Sequence, residues 1–405
     1  MMADMDPGRR ELVVVGGGLV GSSLALALAA TGRPSTLVEA RPGTAALADP
    51  MRERYLALSA GSVNALAALK VWPRLADRAQ PIAAVHASRA GAFGRVLLRA
   101  REQGRDDFGA VVPASVLGQA LEAALAACPL VERLRPARLR CFEQDAEGVR
   151  VELDTDAGRR MLEACVLVAA DGADSPVRSA LPVPVDVEDY GQQAIVVSMG
   201  LGRSHGGVAY ERFTADGAVA ALPLPGRRAG MVWTLPSAQA AAIMANGGTA
   251  LVDALQQQFG QRLGRLHDPG QAAAWPLLRR YARRLHDGRV VLVGNAAQSL
   301  HPIAAQGFNL GLRDALVLAE CLAGAARPAD ALAVHAARRE PDRARIAGLS
   351  HALARWPKLA VPGSALAAGM TMALFNLLPP LRDALALAAM GFADDAPALA
   401  LSTSP

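Results

Sequence analysis

The strongest constraint on the fold is a glycine-rich turn between a short apolar strand and a helix. Residues 12–15 form a run of Leu and Val, which is typical of a buried parallel strand. Three glycines follow in the spacing G-x-G-x-x-G: Gly16, Gly18 and Gly21. Residues 22–31 are rich in Leu and Ala and predict a helix, and residues 35–38 predict a second strand. The segment therefore predicts a complete β-turn-α-β unit.

This unit indicates a dinucleotide site. The first glycine of such a motif allows the tight turn, the second lets a pyrophosphate approach the backbone, and the third lets the helix pack on the strand. The helix N-terminus directs N–H donors at the phosphates. Glu39 follows Gly18 by 21 residues, at the end of the second strand, where a carboxylate can bind ribose hydroxyls. FAD or NAD is therefore preferred over NADP, and a glycine turn without a ligand is the alternative.

Two further motifs each place a turn after an apolar strand. Residues 161–170 predict a strand that leads into Asp171 and Gly172. Residues 289–293 predict another strand, and residues 309–323 predict a helix. Between that strand and helix stand several polar or glycine-rich positions: Asn295, His301, Pro302, Gly307, Phe308 and Asn309. An ordinary strand-to-helix turn is the alternative for either motif taken alone.

The segment between the second and third motifs has a different pattern. Residues 182–285 contain short strands separated by Gly, Pro and Asp turns, which predict a separate, mostly antiparallel sheet. We predict a cofactor domain in three parts, residues 1–85, 111–181 and 286–330. A substrate domain is predicted in two parts, residues 86–110 and 182–285. Residues 331–405 are predicted to form a helical C-terminal region. Motifs of the cofactor type therefore flank the inserted sheet.

Composition excludes several classes of protein. The 405 residues are 52% apolar and carry a net charge of +5, which does not fit a disordered chain. The basic residues are interspersed with carboxylates, and no basic run is interleaved with aromatics, so we expect no nucleic-acid partner. The isolated cysteines form no C-x-x-C pair, and we expect them to be buried in a protein from a reducing compartment: Cys128, Cys141, Cys165 and Cys321. Residues 1–10 lack the pattern of a secretory signal, which favours a cytoplasmic protein.

The three motifs, in this order, resemble those of the single-component flavoprotein aromatic hydroxylases, and the resemblance extends over residues 11–391. Within that family the chain is most similar to the ubiquinone-biosynthesis hydroxylases, those of 2-polyprenyl-6-methoxyphenols in particular. Residues 211–214, 294–314 and 370–374 carry this closer similarity. The resemblance implies a Rossmann-like FAD-binding domain of the glutathione-reductase type. It also implies an inserted antiparallel substrate domain and a helical C-terminal segment.

The resemblance also implies non-covalent FAD and a set of residues that bind it: Gly16, Gly18, Gly21, Glu39, Arg54, Asp171, Gly172, Asn295, Pro302, Gly307, Phe308 and Asn309. Arg54 would lie near the flavin phosphates, and Asn295 would bind the ribityl chain. Asp171 and Gly172 would serve both FAD and the passing NAD(P)H. Most of the family has Asp at the position of Asn295, and Ala305 stands where the usual pattern has glycine. No metal site is expected.

The activity implied is hydroxylation of a polyprenylated phenol in ubiquinone biosynthesis. NAD(P)H would reduce the flavin, and a flavin hydroperoxide would transfer one oxygen atom of O2, shielded from water by an apolar region such as residues 218–225. The alternatives are another aromatic hydroxylase, an FAD-dependent isoprenoid reductase, or a scaffold among other ubiquinone-biosynthesis proteins. His301 is a weak catalytic candidate, because a structural role is favoured. We expect His205 and His286 at the surface.

The C-terminal region contains 23 uncharged residues, 359–381. That length could span a bilayer, but Pro362 and the pair Pro379-Pro380 argue against a span. A helix packed on the protein, or a surface element that touches the membrane, is favoured instead. Arg382 follows as a possible headgroup contact. Because a polyprenylated substrate resides in the bilayer, we expect peripheral association with the inner face of the membrane.

Overall fold

The computed structural model describes residues 9–43, 54–356, 378–392 and 396–401. The strands in these ranges are β1 (Arg9–Val15), β2 (Ser35–Val38), β3 (Tyr55–Ser59), β4 (Gln80–Pro81), β5 (Ala84–Arg89), β6 (Arg95–Arg99), β7 (Gly109–Pro113), β8 (Val131–Leu134), β9 (Ala137–Gln144), β10 (Val149–Thr155), β11 (Gly158–Ala169), β12 (Val185–Leu201), β13 (Val208–Phe213), β14 (Ala218–Leu224), β15 (Arg228–Pro236), β16 (Leu266–His267), β17 (Ala273–Ala282), β18 (His286–Asp287), β19 (Val290–Leu292) and β20 (Gln298–Ser299). The helices are α1 (Leu19–Ala30), α2 (Ala60–Ala68), α3 (Ala114–Ala126), α4 (Pro176–Ser179), α5 (Ser237–Ala245), α6 (Gly247–Phe259), α7 (Gly307–Gly324), α8 (Asp330–Arg355), α9 (Pro379–Met390) and α10 (Ala398–Leu401).

The first sheet is built on parallel strands in the order β19-β11-β1-β2-β8. Strand β1 is buried on both faces, which explains its unbroken apolar run. Leu12 and Val14 pack with helices α1, α3 and α7 on one face. Val13 and Val15 pack on the other face with residues of β10 and β19. The sheet therefore holds the turns after β1, β11 and β19 at its carboxyl edge.

The second sheet is mostly antiparallel and runs β20-β17-β12-β15-β14-β13-β5-β6. Strands β5 and β13 pair in parallel, so the segment 84–99 joins a sheet supplied mainly by residues 185–282. One face packs against α5 and α6 through side chains such as Met231, Trp233 and Phe259. The opposite face meets the small sheet β3-β7-β4 and the loop that contains Ile303. The antiparallel sheet predicted for this region is confirmed.

The helices predicted after the first and third motifs are confirmed, but each begins earlier than predicted. Helix α1 begins at Leu19, earlier than the predicted residue 22, because Gly18 of the motif already caps it. The helix predicted over 309–323 begins at Gly307.

The expected burial of the cysteines is wrong. Cys141 is exposed because it lies on the outward side of the β9–β10 hairpin, and the other three are only partly buried.

The surface placement of His205 is also wrong. His205 is buried, with its Nε2 atom 2.9 Å from the Leu224 carbonyl oxygen and 3.0 Å from that of Gly226. Its Nδ1 atom accepts a hydrogen bond from the backbone N–H of Gly207 at 3.0 Å. The imidazole therefore closes the turns around β14, and hydrogen bonding compensates its burial. His286 is partly exposed.

Most of the uncharged C-terminal stretch lies outside the described residues, which resume at Leu378. Among the helices that the structure describes, none combines the length and apolarity needed to cross a membrane. Helix α9 packs Ala386 and Met390 into the core beneath the second sheet. The Arg382 guanidinium forms an ion pair with Glu102 at 2.8 Å, so this predicted headgroup contact is already engaged with the protein.

Candidate functional site

The glycine-rich turn after β1 is shaped by contacts within the protein at two of its three glycines. Gly16 has a φ of +107°, and a Cβ atom there would lie 2.3 Å from the Ala170 carbonyl oxygen. A Cβ atom on Gly21 would lie 1.9 Å from the Gly16 carbonyl oxygen. Gly18 differs, because no atom of the described residues lies within 4 Å of its Cβ position. The open space at Gly18 is where a ligand can approach the backbone.

The turn also offers hydrogen-bond donors and lies beside a carboxylate. No side chain in ranges 9–43, 54–356, 378–392 and 396–401 caps α1, and its first turn contains no acidic residue, so its first N–H groups are available to an anion. Glu39 is half-buried beside the turn. Its Oε2 atom accepts from the Gly17 N–H at 2.7 Å and its Oε1 atom from the Arg41 N–H at 2.8 Å. Each oxygen retains acceptor capacity for a ribose hydroxyl.

The turn after β11 contains a buried polar atom that lacks a partner. Asp171 accepts a hydrogen bond from the Val177 N–H through Oδ2 at 3.1 Å. Its Oδ1 atom is buried and finds no hydrogen-bond partner among the described residues, and burial raises the pKa of this carboxyl group. An unpartnered buried oxygen is unfavourable unless a ligand donates to it. Gly172 follows with a φ of +97° and open space at its Cβ position.

Close packing brings the third motif against the first. A Cβ atom on Gly294 would lie 3.0 Å from the Val20 side chain, and one on Gly311 would lie equally close to it. The Arg178 guanidinium donates to the carbonyl oxygens of Ala296 at 3.0 Å and Ala173 at 2.7 Å, which links the second motif to the third. The structure thus brings the three predicted motifs to one place, where Asn295 is exposed.

The loop before α7 has an uncommon backbone. Ala304 and Ala305 both adopt the left-handed conformation, with φ values of +62° and +50°. For alanine this costs about 1–2 kcal/mol per residue, and such strain is found mainly at functional sites. Ala305 therefore takes a glycine-like conformation at the position where the family pattern has glycine. Among the residues that the structure describes, no side chain caps α7, so its first N–H groups, near the exposed Gly307, are available to a ligand.

Asn309 holds this loop in place. Its Nδ2 atom donates to the carbonyl oxygens of Ala57 at 2.9 Å and Ala305 at 3.0 Å. Its Oδ1 atom accepts from the Ser59 N–H at 3.0 Å and from the Ser62 hydroxyl at 2.8 Å. The side chain is buried and fully engaged within the protein. A contact between Asn309 and the flavin, as predicted, would therefore have to use its backbone.

The remaining predicted residues are described mainly by their exposure and packing. Arg54 is exposed immediately before β3, and Pro302 and Phe308 are partly buried beside the loop. His301 is buried, packs edge-to-face on Tyr190 with ring centroids 5.0 Å apart, and accepts from the Ile303 N–H through Nδ1 at 3.3 Å. These contacts favour a structural role for His301.

Glu211 on β13 is a candidate that the sequence reasoning missed. Burial raises the pKa of its carboxyl group to about 7, and the nearby backbone N–H of Ala304 offsets only part of this effect. No described cation forms an ion pair with it. The available signal was the alternation of β13, in which Ala209 and Phe213 are buried and Glu211 occupies the position between them on the same face.

A Glu211→Gln variant should reveal this buried charge through the pH dependence of stability. Because the folded pKa lies above the ordinary 4.5, the stabilisation from Glu211 is present at low pH and is lost as pH rises from about 4.5 to 7. Each unit of pKa corresponds to about 1.4 kcal/mol, and partial exposure reduces the total, so the variant should be more stable by about 2 kcal/mol at pH 8. Urea unfolding at several pH values measures this difference, which should vanish near pH 4. An equal difference at both pH values would contradict a titrating Glu211.

The chain is similar to known proteins over most of its length. Residues 9–347 match the family model described as an FAD binding domain. The chain is 33% identical to the ubiquinone hydroxylase UbiL of Rhodospirillum rubrum over 388 residues, covering 94% of this chain and 89% of the relative. It is 33% identical to the 3-demethoxyubiquinol 3-hydroxylase of Escherichia coli over 317 residues, covering 78% and 80%. The fold matches that of p-nitrophenol 4-monooxygenase PnpA from Pseudomonas putida with a TM-score of 0.77, at 20% identity and covering 94% and 97% of the two chains.

The chain therefore belongs to the FAD-dependent aromatic hydroxylases, a family of monooxygenases. The open space at Gly18, the uncapped helix N-termini and the unpartnered oxygen of Asp171 fit the cofactor of this family. Within the family, the similarity places the chain in the ubiquinone-biosynthesis branch.

Proposed function

We propose that this protein hydroxylates a polyprenylated phenol ring in ubiquinone biosynthesis, using FAD, NAD(P)H and O2. The observation that carries the proposal is the 33% identity to a ubiquinone hydroxylase across nearly the full length of both chains. The parallel sheet with its turn after β1 supports a Rossmann-like FAD-binding domain of the glutathione-reductase type, into which the antiparallel substrate domain is inserted.

The residues that would hold FAD surround the three converging turns. The N-terminus of α1 would bind the pyrophosphate, Glu39 the adenosine ribose and Asp171 a hydroxyl group of the cofactor. Bound FAD supplies the redox chemistry, taking electrons from NAD(P)H and passing them to O2. The N-terminus of α7 carries partial positive charge and would stabilise negative charge on a flavin bound beside it.

The second sheet supplies the surroundings that the reaction needs. Its face toward the Ile303 loop is lined mainly by Ala, Val and Leu, with Phe213 packed against Ile303. Such a surface excludes water and accommodates an aromatic ring beside the cofactor. The phenol would therefore bind between this face and the loop at residues 302–307.

We expect purified protein to consume O2 and NAD(P)H in equal amounts when a short-chain polyprenylated phenol is added. Mass spectrometry should find one atom of isotopically labelled O2 in the product. NAD(P)H oxidation without matching O2 consumption would indicate a reductase, and the absence of both reactions would indicate a scaffold. Quinone precursors that accumulate in a deletion strain would identify the ring position.

We also propose peripheral contact with the inner face of the membrane, because the substrate tail resides in the bilayer. The uncharged stretch at 359–381 would make this contact. The double variant Leu374→Asp with Leu377→Asp should keep FAD and show the same unfolding curve as the unaltered protein. It should lose binding to liposomes, as measured by flotation. Liposome binding equal to that of the unaltered protein would contradict this contact, and so would an unfolded variant, because it would indicate that these leucines belong to a core.

A further inference from the structure

Glu211 lies in the middle of the sheet face that meets the loop at residues 302–307. Its direct neighbours across the strands are Ala87 on β5 and Ala220 on β14, and Val232 on β15 follows Ala220. Directly paired residues project from the same face of a sheet. We call these four residues the middle row: Ala87, Glu211, Ala220 and Val232. Its one polar group is the carboxylate of Glu211.

The middle row is accessible between two buried rows. On one side Ala209 and Leu222 are buried against the small sheet, and on the other side Phe213 and Ala218 are buried against Ile303. All four residues of the middle row are only partly buried. Because these side chains are small and partly exposed while the rows beside them are buried, we take the space over the middle row, on the side of Ala304, as the place where a ring enters, and we call it the gap. A planar ring that enters this gap meets the Glu211 carboxylate on one side and the loop on the other.

No charged group neutralises Glu211 from the described elements packed around it. His86 and Arg95 alternate to the opposite face of β5 and β6, as does Arg212 on β13. Arg89 shares the face but lies beside Phe213, two residues further along the strand pair. The loop contributes only the backbone N–H of Ala304. A buried carboxylate without a cation is costly, and it is maintained where a ligand supplies the missing donor.

We propose that Glu211 is a catalytic residue that accepts the hydroxyl proton of the phenolic substrate, an inference that rests on the proposed function. In this step the phenolic O–H bond breaks, its electron pair remains on the phenolic oxygen, and the proton forms a new O–H bond on a Glu211 oxygen. The phenolate is more electron-rich than the phenol and is therefore the better acceptor of oxygen at the ring. Solvent at the open end of the gap takes the proton from Glu211 between turnovers.

The raised pKa of Glu211 suits the role of a base. A general base is most effective when its pKa lies near the working pH, and the pKa of Glu211 is raised to about 7. An ordinary glutamate would be a much weaker base toward a phenol. The ionised fraction of Glu211 therefore rises between pH 6 and 8, and the rate of the step should rise with it.

The first test compares Glu211→Gln and Glu211→Asp with the matched control Asp216→Asn, which alters an exposed carboxylate in the turn after the same strand. The glutamine variant should retain FAD but lose about a hundredfold or more in kcat/KM for the phenol, mainly in kcat. It should also lose the rise of kcat/KM between pH 6 and 8. The aspartate variant should keep that rise with a smaller loss, and Asp216→Asn should match the unaltered protein. A glutamine variant that keeps the rise would overturn the proposal.

The second test requires no turnover. Infrared difference spectra between the unaltered protein and Glu211→Gln should show a protonated carboxyl band that disappears with a midpoint near pH 7. At pH 8, calorimetry should find that the unaltered protein binds 2-prenylphenol about tenfold or more tightly than its methyl ether, because only the phenol donates a hydrogen bond to the carboxylate. Glu211→Gln should reduce that preference. Equal affinities for the two probes in the unaltered protein would overturn the proposal.

The two tests separate this inference from the proposed function. If the unaltered protein hydroxylates the phenol but Glu211→Gln keeps its rate and pH profile, only the role of Glu211 fails. If no phenol is hydroxylated, the proposed function fails, and the proton-transfer step fails with it. The infrared midpoint and the preference for the phenol over its ether then show whether the gap still binds a phenol at Glu211.

Discussion

Replacing Gly16 with valine is expected to give a protein that retains no FAD and is destabilised by about 3 kcal/mol or more. The added Cβ atom would collide with the Ala170 carbonyl oxygen at 2.3 Å, and a β-branched residue does not adopt the φ of +107° found there. Relief of the collision moves β1 away from the turn after β11, which separates two of the three motifs. The absorbance of the purified protein and its urea unfolding curve measure the two effects.

Gly18→Ala is the matched control in the same turn. Its methyl group meets no atom of the described part of the chain within 4 Å, and the φ of −70° suits alanine, so the fold should be unchanged. FAD affinity should nevertheless fall, because the methyl group occupies the space that a pyrophosphate would enter. Full FAD retention by both variants would argue against this turn as the cofactor site. Acid precipitation should release all flavin from the unaltered protein, as non-covalent binding requires.

Asp314→Ala is expected to destabilise the protein by about 3–5 kcal/mol, because it removes one member of a buried network of charges. Asp314 is fully buried and accepts from Arg339 Nε at 2.7 Å and from Gln298 Nε2 at 2.5 Å. Arg339 is 1% exposed and would keep only Asp342 as an ionic partner. The network joins α7 to α8, so the loop at the start of α7 should also lose order. Urea unfolding and FAD affinity measure these effects.

A surface ion pair provides the comparison for Asp314. Asp186 pairs with Arg283 at 2.8 Å, and both side chains are well exposed to solvent. Solvent screens such a pair, so Asp186→Ala should leave the unfolding curve unchanged within error. If Asp314→Ala were equally harmless, the buried network would not be what fixes α7 against α8.

The strand and turn at Gly16 were predictable because local chemistry determines them. A buried parallel strand needs an apolar run, and the turn needs glycine at positions where any side chain would collide. The parts of the site that depend on tertiary contacts were less accessible. Asn309 was predicted as a flavin contact, but its hydrogen bonds to Ala57 and Ser59 link segments about 250 residues apart, which no local pattern reveals.

Glu211 and His205 illustrate the same limit. Each is a polar residue whose burial depends on segments that are not adjacent in sequence, the end of β14 for His205 and the loop at Ala304 for Glu211. From residue type alone, both side chains would be predicted at the surface. The antiparallel character of residues 182–285 was predictable, since turn residues recur there. The position of Glu211 in the face toward Ala304 required the register of β13 with β5 and β14.

The order of strands in the first sheet has a consequence for synthesis of the chain. Strand β19 pairs with residues 167–169 of β11, yet residues 170–289 emerge from the ribosome between them. Until β19 and α7 arrive, the end of β11 presents an unpaired edge, and the core around β1 lacks one of its helices. Long-range pairing of this kind slows folding and prolongs exposure to aggregation. Nascent chains that end before residue 290 should therefore depend on chaperones and bind no cofactor.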